Sequence, residues 1–120
     1  MIKVIMHGCC GKMGKVVCQL VNDDPDCELV AGIDPFGENA DFPVFKSVFD
    51  CDVDADVIID FSTASAVPAL LEYAEKKQIP VVLCTTGFSD ELNEQVISTS
   101  KNVAVLKSAN MSVGVNLLFS

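Results

Sequence analysis

Short apolar runs alternate with helical periodicity along this chain. Residues 4–6 form an apolar run that ends in a glycine-rich turn. The apolar residues that follow Gly11 recur at a spacing of three and four: Met13, Val17, Leu20 and Val21. This order predicts a strand, a glycine turn and an amphipathic helix. A polar segment at residues 22–26 ends the helix, and residues 27–33 are predicted to form a second strand before Asp34.

The same alternation continues in the second half of the chain. Residues 35–52 are irregular and predict a loop with a short helix near Ser47. Apolar runs at 56–61, 80–84 and 103–106 predict three more strands. One helix lies between the first two of these runs, with an apolar face at Val67, Leu70, Leu71 and Ala74. Ser89 is the expected N-cap of the next helix, with Asp90 and Glu91 in its first turn.

Nearly all-apolar strands that alternate with helices are typical of a parallel sheet covered on both faces. The sequence therefore predicts an α/β fold: a Rossmann-type doubly wound parallel sheet of about five strands with flanking helices. Residues 112–120 begin another apolar segment without a C-cap or a polar face. We expect residues 1–120 to be one nucleotide-binding domain, truncated at its C-terminus, and the amino-terminal part of a longer protein.

Charge and hydropathy exclude several partners. The formal net charge is −9, with no cluster of Lys or Arg, so nucleic acid and anionic membranes are not expected partners. The longest uncharged stretch, residues 108–120, is interrupted by Asn110, Gly114 and Asn116, whereas a membrane span needs about 20 apolar residues. The first residues run directly into the first strand without an export signal.

The six cysteines are expected to be reduced thiols in a cytoplasmic protein, because the chain has a good apolar core and no export signal. No pair has C-x-x-C spacing and there is a single histidine, so no structural metal is predicted.

The turn at residues 8–14, with sequence GCCGKMG, is the first candidate for chemistry. Glycines there allow positive φ and a close approach of the backbone to a pyrophosphate, whose charge would meet the N-terminus of the next helix. Asp34, at the end of the second strand, is placed to accept hydrogen bonds from ribose hydroxyls. The alternative is a tight turn whose glycines serve only helix–strand packing. A Walker A loop is excluded because no G-K-[ST] closes the turn.

Four motifs resemble one known family, the 4-hydroxy-tetrahydrodipicolinate (dihydrodipicolinate) reductases. They occur in family order and spacing, at residues 8–14 (GCCGKMG), 59–62 (IDFS), 85–88 (TTGF) and 109–116 (ANMSVGVN). The resemblance implies a nicotinamide dinucleotide cofactor, NADH or NADPH, and reduction of the cyclic dicarboxylate in lysine and diaminopimelate biosynthesis. It also implies a homo-oligomer, a tetramer, for the full-length protein.

The resemblance also implies a set of cofactor-binding residues. The pyrophosphate would be held by Gly8, Cys9, Cys10, Gly11, Lys12 and Met13, and the adenosine ribose by Asp34. Phe61 and Ser62 would flank the cofactor. The nicotinamide and its ribose would be surrounded by Cys84, Thr85, Thr86, Ser108, Ala109, Asn110 and Met111. Cys84 stands where the family commonly has glycine.

The family's histidine pair, lysine and Ser-Gly-Thr segment, which receive and protonate the dicarboxylate, do not occur in these 120 residues. No catalytic residue is therefore assigned, and we expect cofactor binding without turnover. Two other functions remain open. One is a free-standing nucleotide sensor that responds through Cys9 and Cys10. The other is a different amino-acid or aldehyde dehydrogenase, which the motif at 109–116 opposes.

Two further polar residues, His7 and Asp60, have competing interpretations. His7 is interpreted as a packed or capped side chain, with contact to phosphate as the alternative. Asp60 is interpreted as a cap for the following turn, with a general base as the alternative.

Asp34 would repel a 2′-phosphate more than the flexible Lys12 attracts it, which predicts a small preference for NADH.

Overall fold

The computed structural model describes residues 2–8, 12–34, 42–61, 64–84 and 89–107. Within these residues the strands all run parallel in one six-stranded sheet, which confirms the predicted doubly wound α/β fold. The strands are β1 (Ile2–His7), β2 (Cys27–Ile33), β3 (Val44–Phe45), β4 (Val57–Asp60), β5 (Val81–Leu83) and β6 (Val105–Lys107). Their order across the sheet is β3-β2-β1-β4-β5-β6.

In the described ranges, three α-helices connect the strands: α1 (Lys12–Asp23), α2 (Val67–Lys77) and α3 (Asp90–Ser100). The same ranges contain two 3-10 helices, at Val48–Asp50 and Ala64–Ala66. The first of these is the short helix predicted near Ser47, whose side chain accepts a hydrogen bond from the Phe49 amide at 3.3 Å. The predicted N-cap of α3 is also confirmed, because the Ser89 hydroxyl accepts from the Leu92 amide at 3.2 Å.

The sheet has a hydrophobic layer on each face because successive side chains of a strand point to opposite sides. On one face Ile5, Ile58 and Leu83 pack in a cluster that includes residues of α2 and α3. On the other face Met6, Ile59 and Val82 pack in a cluster that includes residues of α1. Burial of each such side chain contributes about 1.5–3 kcal/mol. The two layers pack the helices against both faces of the sheet and leave its carboxyl edge for other roles.

The buried face of α1 differs from the predicted one. Val17 and Val21 are fully buried as expected, but Leu20 is 45% exposed and Cys18 is buried instead. The sheet therefore meets the side of α1 that carries residues 17, 18 and 21, and Leu20 lies beyond its border. The predicted face of α2 is confirmed, since Val67, Leu70, Leu71 and Ala74 are all buried.

Among the described residues, the strand β3 is one that the periodicity did not predict. The two residues of β3 pair with the end of β2, Val44 opposite Gly32 and Phe45 opposite Ile33. This strand makes β2 an internal strand and places a neighbour beside Asp34. No helix in the described part of the chain has both the length and the apolar character needed to cross a membrane.

Candidate functional site at the carboxyl edge of the sheet

Backbone hydrogen bonds continue across the sheet one residue beyond the ends of the central strands. The Gly8 amide donates to the Ile33 carbonyl at 2.6 Å, and the Phe61 amide donates to the His7 carbonyl at 2.9 Å. The Cys84 amide donates to the Asp60 carbonyl at 3.0 Å. The structure thus brings Gly8, Phe61 and Cys84, all predicted site residues, to one edge.

Gly8 leaves β1 with a left-handed backbone. Its φ is 85°, so the predicted positive φ is confirmed. A residue with a Cβ would pay a steric cost in this conformation, and the Cβ would fill space beside the backbone. The helix α1 begins at Lys12, only four residues later. Its first turn carries amides without intrahelical partners, which is the arrangement that attracts anions.

Asp34 follows β2, the strand next to β1. Its amide donates to the Phe45 carbonyl at 2.9 Å, so β3 helps to fix the backbone at this position. The residue is 8% exposed. The Gly8 amide is hydrogen-bonded to Ile33, the residue just before Asp34. The glycine turn and the acid therefore follow neighbouring strands and lie at the same edge of the sheet. This is the relative placement found in dinucleotide-binding α/β folds.

His7 and Asp60 form a pair at the ends of β1 and β4. The His7 Nδ1 and Asp60 Oδ1 atoms lie 2.8 Å apart, and the two side chains are 7% and 0% exposed. The interpretation of His7 as a packed side chain agrees with this burial. The partnership between these two residues was not predicted. The available signal was a polar residue at the last position of each strand, directly after three apolar residues: 4–6 in β1 and 57–59 in β4.

Cys84 lies half-buried beside the same edge. Burial, and secondarily the carboxylate of Asp60, raises the pKa of its thiol to about 11. The thiol therefore stays protonated at neutral pH and is a poor nucleophile. At this edge it presents a small, neutral side chain rather than a reactive group.

The remaining predicted site residues are less fully described. Lys12 and Met13 belong to the first turn of α1. The other predicted residues lie outside the described part of the chain: Cys9, Cys10, Gly11, Ser62, Thr85, Thr86, Ser108, Ala109, Asn110 and Met111. Among the residues that the structure describes, no group of three or more His, Cys, Asp or Glu could hold a metal ion.

The strand order, the turn at Gly8 and the acid at Asp34 define the class of protein: a Rossmann-type α/β domain whose candidate site lies at the carboxyl edge of the sheet. Residues 2–111 match the family model described as "Dihydrodipicolinate reductase, N-terminus". The chain therefore belongs to the dihydrodipicolinate reductase family, as the four sequence motifs had indicated.

Individual relatives agree with this assignment. The chain is 49% identical to 4-hydroxy-tetrahydrodipicolinate reductase of Clostridium novyi (strain NT) over 119 residues, which covers 98% of this chain and 47% of the relative. It is 48% identical to the reductase of Caldanaerobacter subterraneus subsp. tengcongensis, covering 100% of this chain and 48% of the relative. The chain thus spans about half the length of these curated relatives.

A solved structure has the same fold over nearly the whole chain. It is the dipicolinate-bound dihydrodipicolinate reductase from Paenisporosarcina sp. TG-14, with a TM-score of 0.80 and 26% sequence identity. The match covers 98% of this chain and 51% of that one.

Proposed function

We propose that this chain is the cofactor-binding domain of an NAD(P)H-dependent oxidoreductase that reduces 4-hydroxy-tetrahydrodipicolinate to tetrahydrodipicolinate. This reaction belongs to lysine and diaminopimelate biosynthesis. The observation that carries the proposal is the placement of Gly8, with its φ of 85°, beside the end of β2, where Asp34 follows. Relatives named for this reaction, nearly 50% identical over the whole chain, support it.

The described residues fit a dinucleotide. Gly8 has no Cβ at a position where the backbone turns with positive φ, which leaves room for a phosphate near the N-terminus of α1. Asp34 provides a carboxylate one strand away for the adenosine ribose. Phe61 and Cys84 border the edge further along the sheet. When bound, the reduced nicotinamide supplies the hydride, and the task of these residues is to hold and orient it.

The remaining cofactor contacts are proposed from the family motifs. Cys9, Cys10, Gly11, Lys12 and Met13 would complete the pyrophosphate site. Ser62 would lie beside the cofactor with Phe61, and Thr85, Thr86 and residues 108–111 would surround the nicotinamide. We also propose a modest preference for NADH, because Asp34 disfavours a 2′-phosphate.

We further propose that substrate binding and protonation need the other half of the full-length protein, a cytoplasmic tetramer. The family's histidine pair, lysine and Ser-Gly-Thr segment are not among these 120 residues. The isolated chain is then expected to bind cofactor without reducing substrate.

Two measurements on the 120-residue chain test these proposals. Calorimetric titration with NADH and with NADPH should show saturable binding of one equivalent. A reductase assay that follows NADH absorbance should show no turnover of 4-hydroxy-tetrahydrodipicolinate. Failure to bind either nucleotide at millimolar concentration would contradict the cofactor-binding role. Turnover by this chain would instead contradict the assignment of catalysis to the other half.

A further inference from the structure

The buried pair formed by His7 and Asp60 has no role among the proposed cofactor contacts. The two residues are opposite each other in the parallel pairing of β1 with β4, and each is the last residue of its strand. They are 53 positions apart in sequence, yet His7 Nδ1 and Asp60 Oδ1 lie 2.8 Å apart. Both side chains are buried, that of Asp60 completely.

Burial of a carboxyl group is unfavourable unless a partner satisfies it. The positions two residues earlier on the same strands, Ile5 and Ile58, lie on the same face of the sheet as the pair and are apolar and fully buried, so this side of the pair is hydrophobic. When Asp60 is ionised its oxygens only accept, and the proton of the hydrogen bond then belongs to His7 Nδ1. In such surroundings the hydrogen bond holds the two side chains in one arrangement.

The same two strand ends are also joined through the backbone. The Phe61 amide, directly after Asp60, donates to the His7 carbonyl at 2.9 Å. One hydrogen bond between side chains and one between backbone groups thus connect the ends of β1 and β4. The residues that directly follow these two strands are Gly8, after β1, and Phe61, after β4. Both are proposed to contact the cofactor.

We propose that His7 and Asp60 are a positioning pair, which fixes the distance between the ends of β1 and β4 and so holds Gly8 and Phe61 in place for the nucleotide. The effect of the pair on nucleotide affinity rests on the proposed function. Its effect on the ends of β1 and β4 does not depend on that function, so the affinity and the order of the strand ends can be measured separately. Displacement of a binding group by about 1 Å is enough to weaken its interaction severely.

Three variants separate this role from general packing. His7→Val removes the hydrogen-bond donor. His7→Asn places an amide N–H close to the position of Nδ1, whereas His7→Gln carries its amide one methylene farther along the side chain. If the pair acts through Nδ1, Asn restores the link and Gln does not. If only a polar side chain of similar bulk were needed, Gln would serve at least as well as Asn.

The control variant is Tyr73→Phe. It removes another buried hydrogen bond, from the Tyr73 hydroxyl to the Cys51 carbonyl at 3.1 Å, on residues outside the proposed cofactor site. Urea unfolding of every variant establishes its stability, so that changes at the carboxyl edge can be compared at similar global stability.

Amide hydrogen exchange of the unliganded 120-residue chain tests the strand ends. In His7→Val and His7→Gln we expect the Gly8 and Phe61 amides to exchange about tenfold faster than in Tyr73→Phe. His7→Asn should return both rates to within about threefold of the unmodified chain. Equal exchange at these amides in all variants would overturn the proposal. If His7→Val does not fold, the difference in exchange rates between His7→Asn and His7→Gln still tests the proposal.

Calorimetry with NADH tests the consequence for binding. We expect Kd to rise about tenfold in His7→Val and His7→Gln, and to change less than threefold in His7→Asn and Tyr73→Phe. Unchanged affinity in both His7→Val and His7→Gln would overturn the positioning role. If the unmodified chain bound no nucleotide, the proposed function would fail together with this consequence, and the exchange rates would still report whether the pair joins the strand ends.

Discussion

The amide of Gly8 donates a hydrogen bond of 2.6 Å to the carbonyl of Ile33, the last residue of β2. Through this contact the glycine turn is fixed next to Asp34, which follows Ile33. A phosphate-binding turn and a ribose-binding acid must lie close together to hold the pyrophosphate and the ribose of one adenosine diphosphate unit. The contact therefore connects the backbone of the sheet directly to the proposed cofactor site.

Substitution of Gly8 by valine should eliminate NADH binding while far-ultraviolet circular dichroism stays nearly unchanged. At a φ of 85° a β-branched side chain costs about 1–2 kcal/mol and occupies the space that the phosphate needs. Calorimetry and circular dichroism measure the two effects. Ala104→Val is the control, because it introduces the same valine side chain at an exposed position before β6. Retained affinity in Gly8→Val would mean that the glycine serves only the turn.

Asp34→Asn should improve NADPH binding relative to NADH. The Asp34 carboxylate and a 2′-phosphate are like charges, and two unit charges at about 4 Å repel by about 4 kcal/mol at an effective dielectric constant of 20. Salt screening and the opposing attraction of Lys12 reduce this difference to about 1 kcal/mol, or about fivefold in the ratio of the two Kd values. Titration of both nucleotides at several salt concentrations measures the ratio, which should approach one as salt rises.

The matched control for Asp34 is Asp26→Asn, which removes an exposed carboxylate just before the start of β2. It should leave the ratio of the two affinities unchanged at each salt concentration. Tighter binding of NADPH than of NADH by the unmodified chain at low salt would show that a cation, rather than Asp34, controls cofactor choice.

Alkylation of Cys84 should be slow at neutral pH. Burial and the carboxylate of Asp60 raise the pKa of the thiol from 9.0 to about 11, which lowers the thiolate fraction about a hundredfold at pH 8. Iodoacetamide labelling followed by peptide mass spectrometry should show a rate that keeps rising up to about pH 11. The same chain in urea is the reference, and Asp60→Asn should speed the reaction. Equal rates in folded and unfolded chain at pH 8 would contradict this account.

The folded chain should lose stability as the pH rises above about 9. Burial raises the pKa values of Cys27, Cys84 and Tyr73, the last from 10.0 to about 12 with further contributions from Cys51, Asp54 and Asp52. The unfolded chain releases these protons at lower pH than the folded chain, so alkali favours unfolding. Their contribution is fully present below pH 9 and is lost between pH 9 and 12.

Urea unfolding at intervals from pH 7 to 11.5 measures this dependence. The midpoint should stay level to about pH 9 and then fall. Tyr73→Phe, which lacks the ionisable hydroxyl, should show a smaller fall above pH 10 than the unmodified chain. A midpoint that is constant to pH 11.5 would show that these groups ionise equally in both states.

Local patterns in the sequence were sufficient for most elements of the fold. The bounds of β2 were predicted residue for residue, because residues 27–33 are apolar except for Glu28 and lie between polar segments. A short helix near Ser47 was also predicted, but the hydrogen bond that the Ser47 hydroxyl accepts from the Phe49 amide was not. The cap at Ser89 was predicted because a serine hydroxyl that accepts from an amide three residues away is a local interaction. The turn at Gly8 and the acid at Asp34 were recognised for the same reason: each stands at a definite place relative to one strand.

Interactions between distant segments were decided only by the tertiary structure. The two residues of β3 form a strand because the edge of β2 is available beside them, not because of their own periodicity. Leu20 has helical spacing with Val17 but lies outside the contact of α1 with the sheet. His7 and Asp60 became partners because β1 pairs with β4, a strand order that no local pattern contains. Local chemistry thus specifies which elements form, whereas packing of the whole sheet determines which side chains meet at its carboxyl edge.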